Sequence, residues 1–453
     1  MPGIGTRLIM RRWLLLPVLL IATGAVAFPI FPDSTLDVTQ IVSSQPESLG
    51  IYVGSPSLIT LPSGDLLASH DFFGPGAGNL IGITRTFISR GGGPFVASGN
   101  ATGLYWATLF TRANDTGVYL LGTSGDERSK GQITIARSGD DGATWATSVL
   151  VTDAKPFSTG PTPVLLSGGR LWRAFEHNIG AWGSGYASVV ISADANAPDL
   201  SDPNAWTRSG ELSFASVLHL VPSNWSDAPA PYTVTPNYGW LEGNAVERDD
   251  GQAGIFIVLR VNSPPAANKA ALLELAGAAA TPVFIKWIEP FYGGNSKFSI
   301  KRDPASGLYV ALVSAVVEPA AVTLPPSCGP VSLRMIGNRS APLPCCGFLE
   351  ACNAEPTNAT CVWCHANSRN QLSLAVAKGV GGPWSLAAEI LYDDTGLPQF
   401  LSEMNTGFQY ADFIFVEGDI VASVRSGYRG SNNFHNSNRH LLKVISNWTR
   451  YVG

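Results

Sequence analysis

The feature that most constrains this chain of 453 residues is a recurring pair of short hydrophobic runs joined by a tight Gly- or Asp-containing turn. It occurs at 57–70, 109–122, 163–176, 244–260, 297–314 and 413–425. Apolar runs of strand length, broken by residues that favour turns, read as β-hairpins. Chain for further strands follows each hairpin, so six four-stranded units are expected. One such unit alone leaves a sheet face bare, whereas radial stacking buries those faces and leaves only short edges. The spacing therefore predicts an all-β fold, a single six-bladed β-propeller over 28–453. Its final blade is expected to close with a strand from residues 36–43, because 38–42 is otherwise an orphan β run. Two β-sandwiches are the rival, disfavoured because no composition break or long linker divides 36–450. The alanine-rich stretch 266–280, limited by Pro264, Pro265 and Gly277, reads as a strand of the fourth blade rather than a helix.

Composition supports a large core with many turns. Hydrophobic residues make up 45% of the chain and charged residues only 14%, against about 25% charged in an average soluble domain. Glycine and proline number 48 and 32, and they cluster between the β-type runs. The formal net charge is −5, with no basic stripe to neutralise phosphates, so a nucleic-acid partner is not expected. No cofactor or metal is expected.

The N-terminus reads as a processing segment. Arg7, Arg11 and Arg12 precede an apolar run that ends in Ala25-Val26-Ala27, the pattern of a cleaved signal peptide over 1–27. A membrane anchor is the alternative, but the run is short against the ~20 residues needed to cross a bilayer. Secretion is thus expected, with no membrane span in the mature chain. Acceptor triplets for N-glycosylation at Asn100, Asn114, Asn224, Asn338, Asn358 and Asn447 agree with export. All six cysteines (Cys328, Cys345, Cys346, Cys352, Cys361 and Cys364) fall in one stretch, read as a disulfide-rich insertion over 325–368. Cys361-Val362-Trp363-Cys364-His365 also fits a c-type haem attachment pattern, but haem would strand the other four cysteines. Zinc held by cysteine and His365 competes with oxidation in the secretory pathway.

Ser138-Gly139-Asp140-Asp141-Gly142-Ala143-Thr144-Trp145 reads S-x-D-x-G-x-T-W, with weaker echoes ending at Phe95, Trp206 and Trp384. This motif resembles the Asp box of sialidases and related propellers, where the aspartate bonds local amides and the tryptophan packs between blades. From about 48 to 450 the chain is similar to the sialidase-like superfamily. Further motifs resemble secreted propellers grouped with it: Tyr105–Thr108, Trp172–Glu176, Ser296–Phe298, Phe408–Tyr410 and Asn433–Asn438. Tyr52–Leu58 stands where sialidases carry Tyr/Phe-Arg-Ile-Pro, here without the arginine. Glu242, in Trp240-Leu241-Glu242-Gly243-Asn244, resembles the glutamate that activates their tyrosine nucleophile, and Arg260 falls at the second arginine. The missing arginine implies that sialic acid itself is a poor substrate, and that a uronate clamped by Arg260 and Arg425 suits the site better.

Loops at one end of a propeller's central channel form the usual pocket, so polar residues at the ends of inner strands carry the chemical expectation. Glu242, Tyr428, His70 and Glu176 are the candidate catalytic residues. Arg260, Arg425, Lys297, Asn244, His435 and Asn438 are the candidate substrate-binding residues. Tyr428 beside Glu242 would repeat the tyrosine-nucleophile variant of glycoside hydrolysis; paired carboxylates would give the commoner one. His177 also ends a strand. Trp106, Trp172, Trp240 and Tyr410 read as packing, and His219, His365 and His440 as ordinary. The leading expectation is a secreted glycoside hydrolase for an acidic glycan. A lyase acting on a uronate by β-elimination and a non-catalytic lectin-like propeller remain open alternatives.

Overall fold

The structure, a computed structural model, describes residues 38–113, 115–125, 131–226, 238–263, 266–316, 367–397 and 399–452. The expected signal peptide, all six cysteines, and Asn114, Asn338 and Asn358 lie outside the described residues. Asn100, Asn224 and Asn447 are exposed.

Each of the six sequence hairpins becomes the two innermost strands of one antiparallel sheet, and six sheets form the ring. Blade I runs outward from Tyr52–Val53 and Ser57–Thr60 through Leu66–Phe73 and Ile83–Ser89 to Val96–Thr102. Blade II comprises Tyr105–Phe110, Val118–Thr123, Ile133–Ser138 and Ala146–Val151. In blade III, Phe157–Ser158 and Leu165–Ser167 share the inner position, followed by Arg170–Asn178, Tyr186–Asp194 and the outer Trp206–Arg208 and Leu212–Ser213. Blade IV is Gly239–Val246, Ile255–Asn262, Ala270–Leu275 and Val283–Ile288. The alanine-rich stretch thus supplies its third strand. Blade V is Ser299–Arg302, Tyr309–Val313, Gln371–Ala377 and Ser385–Tyr392. Blade VI is Gly407–Val416, Asp419–Gly427, Arg439–Ile445 and, from the other end of the chain, Gln40–Ser44.

That last strand closes the ring. It pairs antiparallel with Arg439–Ile445 from Gln40 opposite Leu442 to Ser44 opposite Arg439. Alternation decides its orientation: Ile41 is 50% exposed while Val42 is 5% exposed and packs with Leu58, Ala68 and Leu442. Burial follows the same logic around the ring, with a separate buried cluster at each blade interface from I–II through VI–I. The core is therefore distributed between blades, which explains why composition shows no domain break. Fully burying one large apolar side chain contributes about 1.5–3 kcal/mol, so each interface is held by many such contacts.

The S-x-D-x-G-x-T-W segment is a turn tied to the neighbouring blade. The Asp140 carboxylate accepts the Thr144 backbone N–H at 2.8 Å and the Thr144 hydroxyl at 2.7 Å, which hold it down at about 2. Gly142 needs its glycine twice over. Its φ is +83°, and a Cβ would sit 3.1 Å from Leu67 of blade I. Trp145 donates its indole N–H to the Gly142 carbonyl at 3.0 Å and packs at the I–II interface. Trp206 and Trp384, which end two of the echoes, likewise donate to Leu200 and Val380 carbonyls at 2.8 and 3.0 Å. Among the described residues, no helix is long and apolar enough to cross a membrane.

Candidate active site

Alternate blades break their innermost strands in the same way. Register shifts lie between Tyr105 and Thr108 in blade II, Leu241 and Asn244 in blade IV, and Gln409 and Asp412 in blade VI. Each bulge holds one bulky residue in the left-handed region: Trp106 at φ 52°, Glu242 at φ 57° and Tyr410 at φ 54°. Bulges re-aim side chains, and non-glycine residues at such angles are strained by about 1–3 kcal/mol. The residues so turned include the groups with the clearest chemistry.

Tyr410 donates its hydroxyl to Glu242 Oε1 at 2.5 Å, and Arg260 Nη1 donates to Glu242 Oε2 at 2.8 Å. Both members of the ion pair are buried, with side chains 7% and 5% exposed. The Arg425 guanidinium carbon lies 4.8 Å from the Tyr410 ring centre and that of Arg369 5.9 Å from it. Burial and the Glu242 charge raise the Tyr410 phenol, while Arg260, Arg369 and Arg425 pull it down. Burial and the like charges of Arg260 and Arg425 lower Arg369 to about 10. Three guanidiniums thus share one small volume. Arg369 Nη1 donates to Gln409, and its buried Nε has no partner among the described residues. Arg425 Nε donates to Ser437 Oγ at 2.9 Å, and its Nη2 donates to the His435 carbonyl at 2.7 Å. Guanidiniums in such an arrangement are able to bind a carboxylate through charge-assisted hydrogen bonds.

Asp71, on the second strand of blade I, fills the space where a longer side chain at position 54 would stand. Its Oδ1 accepts from Ser55 N at 2.5 Å and its Oδ2 from Trp106 N at 2.7 Å. A Cβ on Gly54 would come within 1.6 Å of Oδ1, so glycine here is what admits the carboxylate. Burial raises the Asp71 carboxyl, and Ser55, Trp106 and Arg425 oppose that rise.

Of the residues expected from sequence, Glu242, Arg260 and Arg425 come together. Glu176 approaches from blade III, accepting Gly243 N at 2.9 Å, and burial with the Glu242 charge raises it to about 8. His435 is exposed at the rim, with its ring 5.1 Å from Phe73.

Five of the expected site residues have other partners. The hydroxyl that meets Glu242 belongs to Tyr410, not Tyr428, which donates instead to Asp394 with its ring in the V–VI core. His70 turns away from the pocket because it alternates with Asp71. Its Nε2 lies 2.8 Å from Ser43 Oγ on the closing strand, it stacks on Phe87, and burial lowers it to about 4. Lys297 and Asn244 are ties between blades. Lys297 Nζ donates to the Ala411 carbonyl at 2.8 Å and is lowered by burial to about 7; Asn244 bridges the Phe298 carbonyl and Ile300 N. Asn438 clasps both the N–H and the carbonyl of Tyr428, fixing a loop. His177 pairs with Glu211 at 2.8 Å and stacks on Phe157.

From the sequence, Tyr410 and Trp106 read as packing, and Arg369 and Asp71 were not singled out. Tyr410 had a signal: it opens the sixth hairpin as Glu242 opens the fourth. Arg369 had none, because a parallel bridge between Arg369 and Gly407 is what sets it beside the Tyr410 strand. Among the described residues, no group of three or more His, Cys, Asp and Glu could hold a metal ion.

No protein-family model matches the sequence, and no curated protein matches it. Solved structures do. The α-L-arabinanase of Penicillium chrysogenum, solved with arabinobiose, is 13% identical with a TM-score of 0.51, covering 91% of this chain and 99% of its own. An α-L-arabinofuranosidase of Fusarium graminearum, solved with an iminosugar inhibitor, is 11% identical at TM-score 0.50, covering 91% and 98%. A Dyadobacter fermentans protein of unknown function is 10% identical at TM-score 0.50, covering 90% and 98%. At such identities the likeness is one of architecture alone: these chains share the six-bladed β-propeller fold.

Proposed function

We propose that the protein is an exported glycoside hydrolase for a sugar that carries a carboxylate. The observation that carries this reading is the Tyr410 hydroxyl on Glu242 at 2.5 Å with Arg260, Arg369 and Arg425 gathered around the ring. Tyr410 Oη attacks the anomeric carbon while Glu242 takes the phenolic proton, and the bond to the leaving oxygen breaks. Water then attacks the same carbon, giving a proton to the carboxylate that had protonated the leaving oxygen, while the phenolate leaves and Glu242 returns the proton to it. A tyrosine nucleophile suits an anionic sugar, because its approach as a neutral hydroxyl avoids the repulsion that a carboxylate nucleophile would meet. The proton for the leaving oxygen has two candidate sources, Asp71 and Glu176, both raised by burial. The guanidiniums hold the substrate carboxylate.

A second reading rests on Glu176. A carboxyl held protonated up to about pH 8, bonded to the residue after Glu242, fits an acid with Glu242 as its carboxylate partner. The arabinan-directed names of two solved neighbours agree with a neutral pentose substrate for that chemistry.

Umbelliferyl glycosides of glucuronic acid, sialic acid and arabinofuranose separate the readings. The expected result is release from an acidic glycoside, lost in Tyr410→Phe and Glu242→Gln, with KM raised in Arg369→Met. Arabinoside turnover that survives Tyr410→Phe but not Glu176→Gln supports the second reading. Unsaturated product from uronate polymers would indicate a lyase, and binding without turnover a lectin.

A further inference from the structure

Three strained residues occupy matching bulges, and the reactive pair accounts for two. We propose that the third, Trp106, is a substrate-binding residue whose indole lies against the apolar C–H face of the bound sugar. This rests on the glycosidase reading above and adds a specificity element to it. Glycine would adopt φ 52° without strain, so a bulky aromatic there needs a reason outside the backbone.

The surroundings hold the residue in place from both sides. Its N–H donates to the buried Asp71 carboxylate at 2.7 Å, and its carbonyl accepts from the fully buried Arg173 at 3.4 Å. Two buried charged groups thus fix the peptide units on either side of the Trp106 Cα. The indole is treated differently from those that pack blades. Trp172 and Trp240 are 4% and 0% exposed and donate their N–H groups to backbone carbonyls. Trp106 is partly exposed, its indole N–H has no partner among the described residues, and its ring rests on Tyr105 at 4.7 Å. The Asp71 carboxylate that takes the Trp106 N–H also lies within the field of Arg425, which sets this bulge beside the guanidinium cluster. A pocket that joins one aromatic face to a few fixed polar groups is the usual way to orient a small ligand.

The experiment compares Trp106→Gly, Trp106→Phe and wild type for KM and kcat on the hydrolysed umbelliferyl glycoside. It adds calorimetric binding of free glucuronate, sialic acid and arabinose, and thermal midpoints. Trp106→Gly should weaken binding by about ten- to a hundredfold while the melting temperature holds or rises, because strain is relieved. Trp106→Phe should retain most of the affinity. The proposal is overturned if Trp106→Gly binds like wild type, or if it loses melting temperature while an unchanged affinity shows packing to be its role. Binding without turnover in the wild type, with the Trp106→Gly loss still present, refutes the hydrolase reading and leaves the platform standing. A wild type that binds none of the probes overturns both.

Discussion

Replacing Glu176 with glutamine should remove one component of the protein's stability–pH curve. The carboxyl is fully buried, and burial followed by the Glu242 charge moves it from 4.5 to about 8. Between those values the native state holds a proton that the unfolded chain has released. Stability from this group is therefore complete below about pH 4.5 and is lost as the pH climbs toward 8. A difference of one proton gives a slope of about 1.4 kcal/mol per pH unit, so the window from 4.5 to about 8 is worth on the order of 5 kcal/mol at most. Two other buried groups run the opposite way. His70, lowered from 6.5 to about 4, adds stability as pH rises between those values, and Lys297, lowered from 10.5 to about 7, does so above 7. The wild-type curve alone is a composite, and the difference between wild type and Glu176→Gln isolates the carboxyl. Glutamine keeps the shape and can still accept the Gly243 N–H, so the comparison is close to a pure charge change. Denaturant midpoints read by tryptophan fluorescence at about pH 5, 6.5 and 8 supply the measurement. Wild type should fall relative to the variant across that range. A difference that stays constant would show Glu176 ionising near its ordinary value, and the claim that its burial keeps it protonated would be wrong.

Two further outcomes follow from the same geometry. Tyr428→Phe should lose about 1 kcal/mol of stability with the Asp394 hydrogen bond yet keep turnover on any glycoside the wild type cleaves; loss of kcat with an unchanged melting temperature would return the nucleophile role to Tyr428. Gly54→Ala should displace Asp71, since its Cβ would stand 1.6 Å from Oδ1, and overpacking of this kind costs about 1–3 kcal/mol. A Gly54→Ala variant with unchanged denaturant midpoint and unchanged activity would contradict the assigned fit.

The architecture was written locally. Turn residues between strand-length apolar runs set each hairpin, and a hairpin needs only its own neighbours to form, so six hairpins gave six blades. The orphan run near the N-terminus had to pair somewhere, and the structure seats Gln40–Ser44 on the edge of blade VI, a few residues from the expected bounds. Glu242 and Arg260 were also legible, because they lie on adjacent strands of one hairpin and meet across it.

The rest of the site depended on contacts between blades and on exceptions to strand alternation. In a regular strand, neighbouring residues face opposite sides, so a one-residue difference decides whether a side chain reaches the channel. Asp71 faces it and His70 faces the closing strand. Bulges then break the alternation at Trp106, Glu242 and Tyr410, and no period-two reading of the sequence indicates where those side chains aim. Arg369 reaches Tyr410 from the neighbouring blade, and Lys297 reaches Ala411 across 114 positions of chain. Local sequence determined the strands and turns, whereas the closed ring decided which polar groups share the channel, because only its closure brings residues from six separate hairpins to one axis.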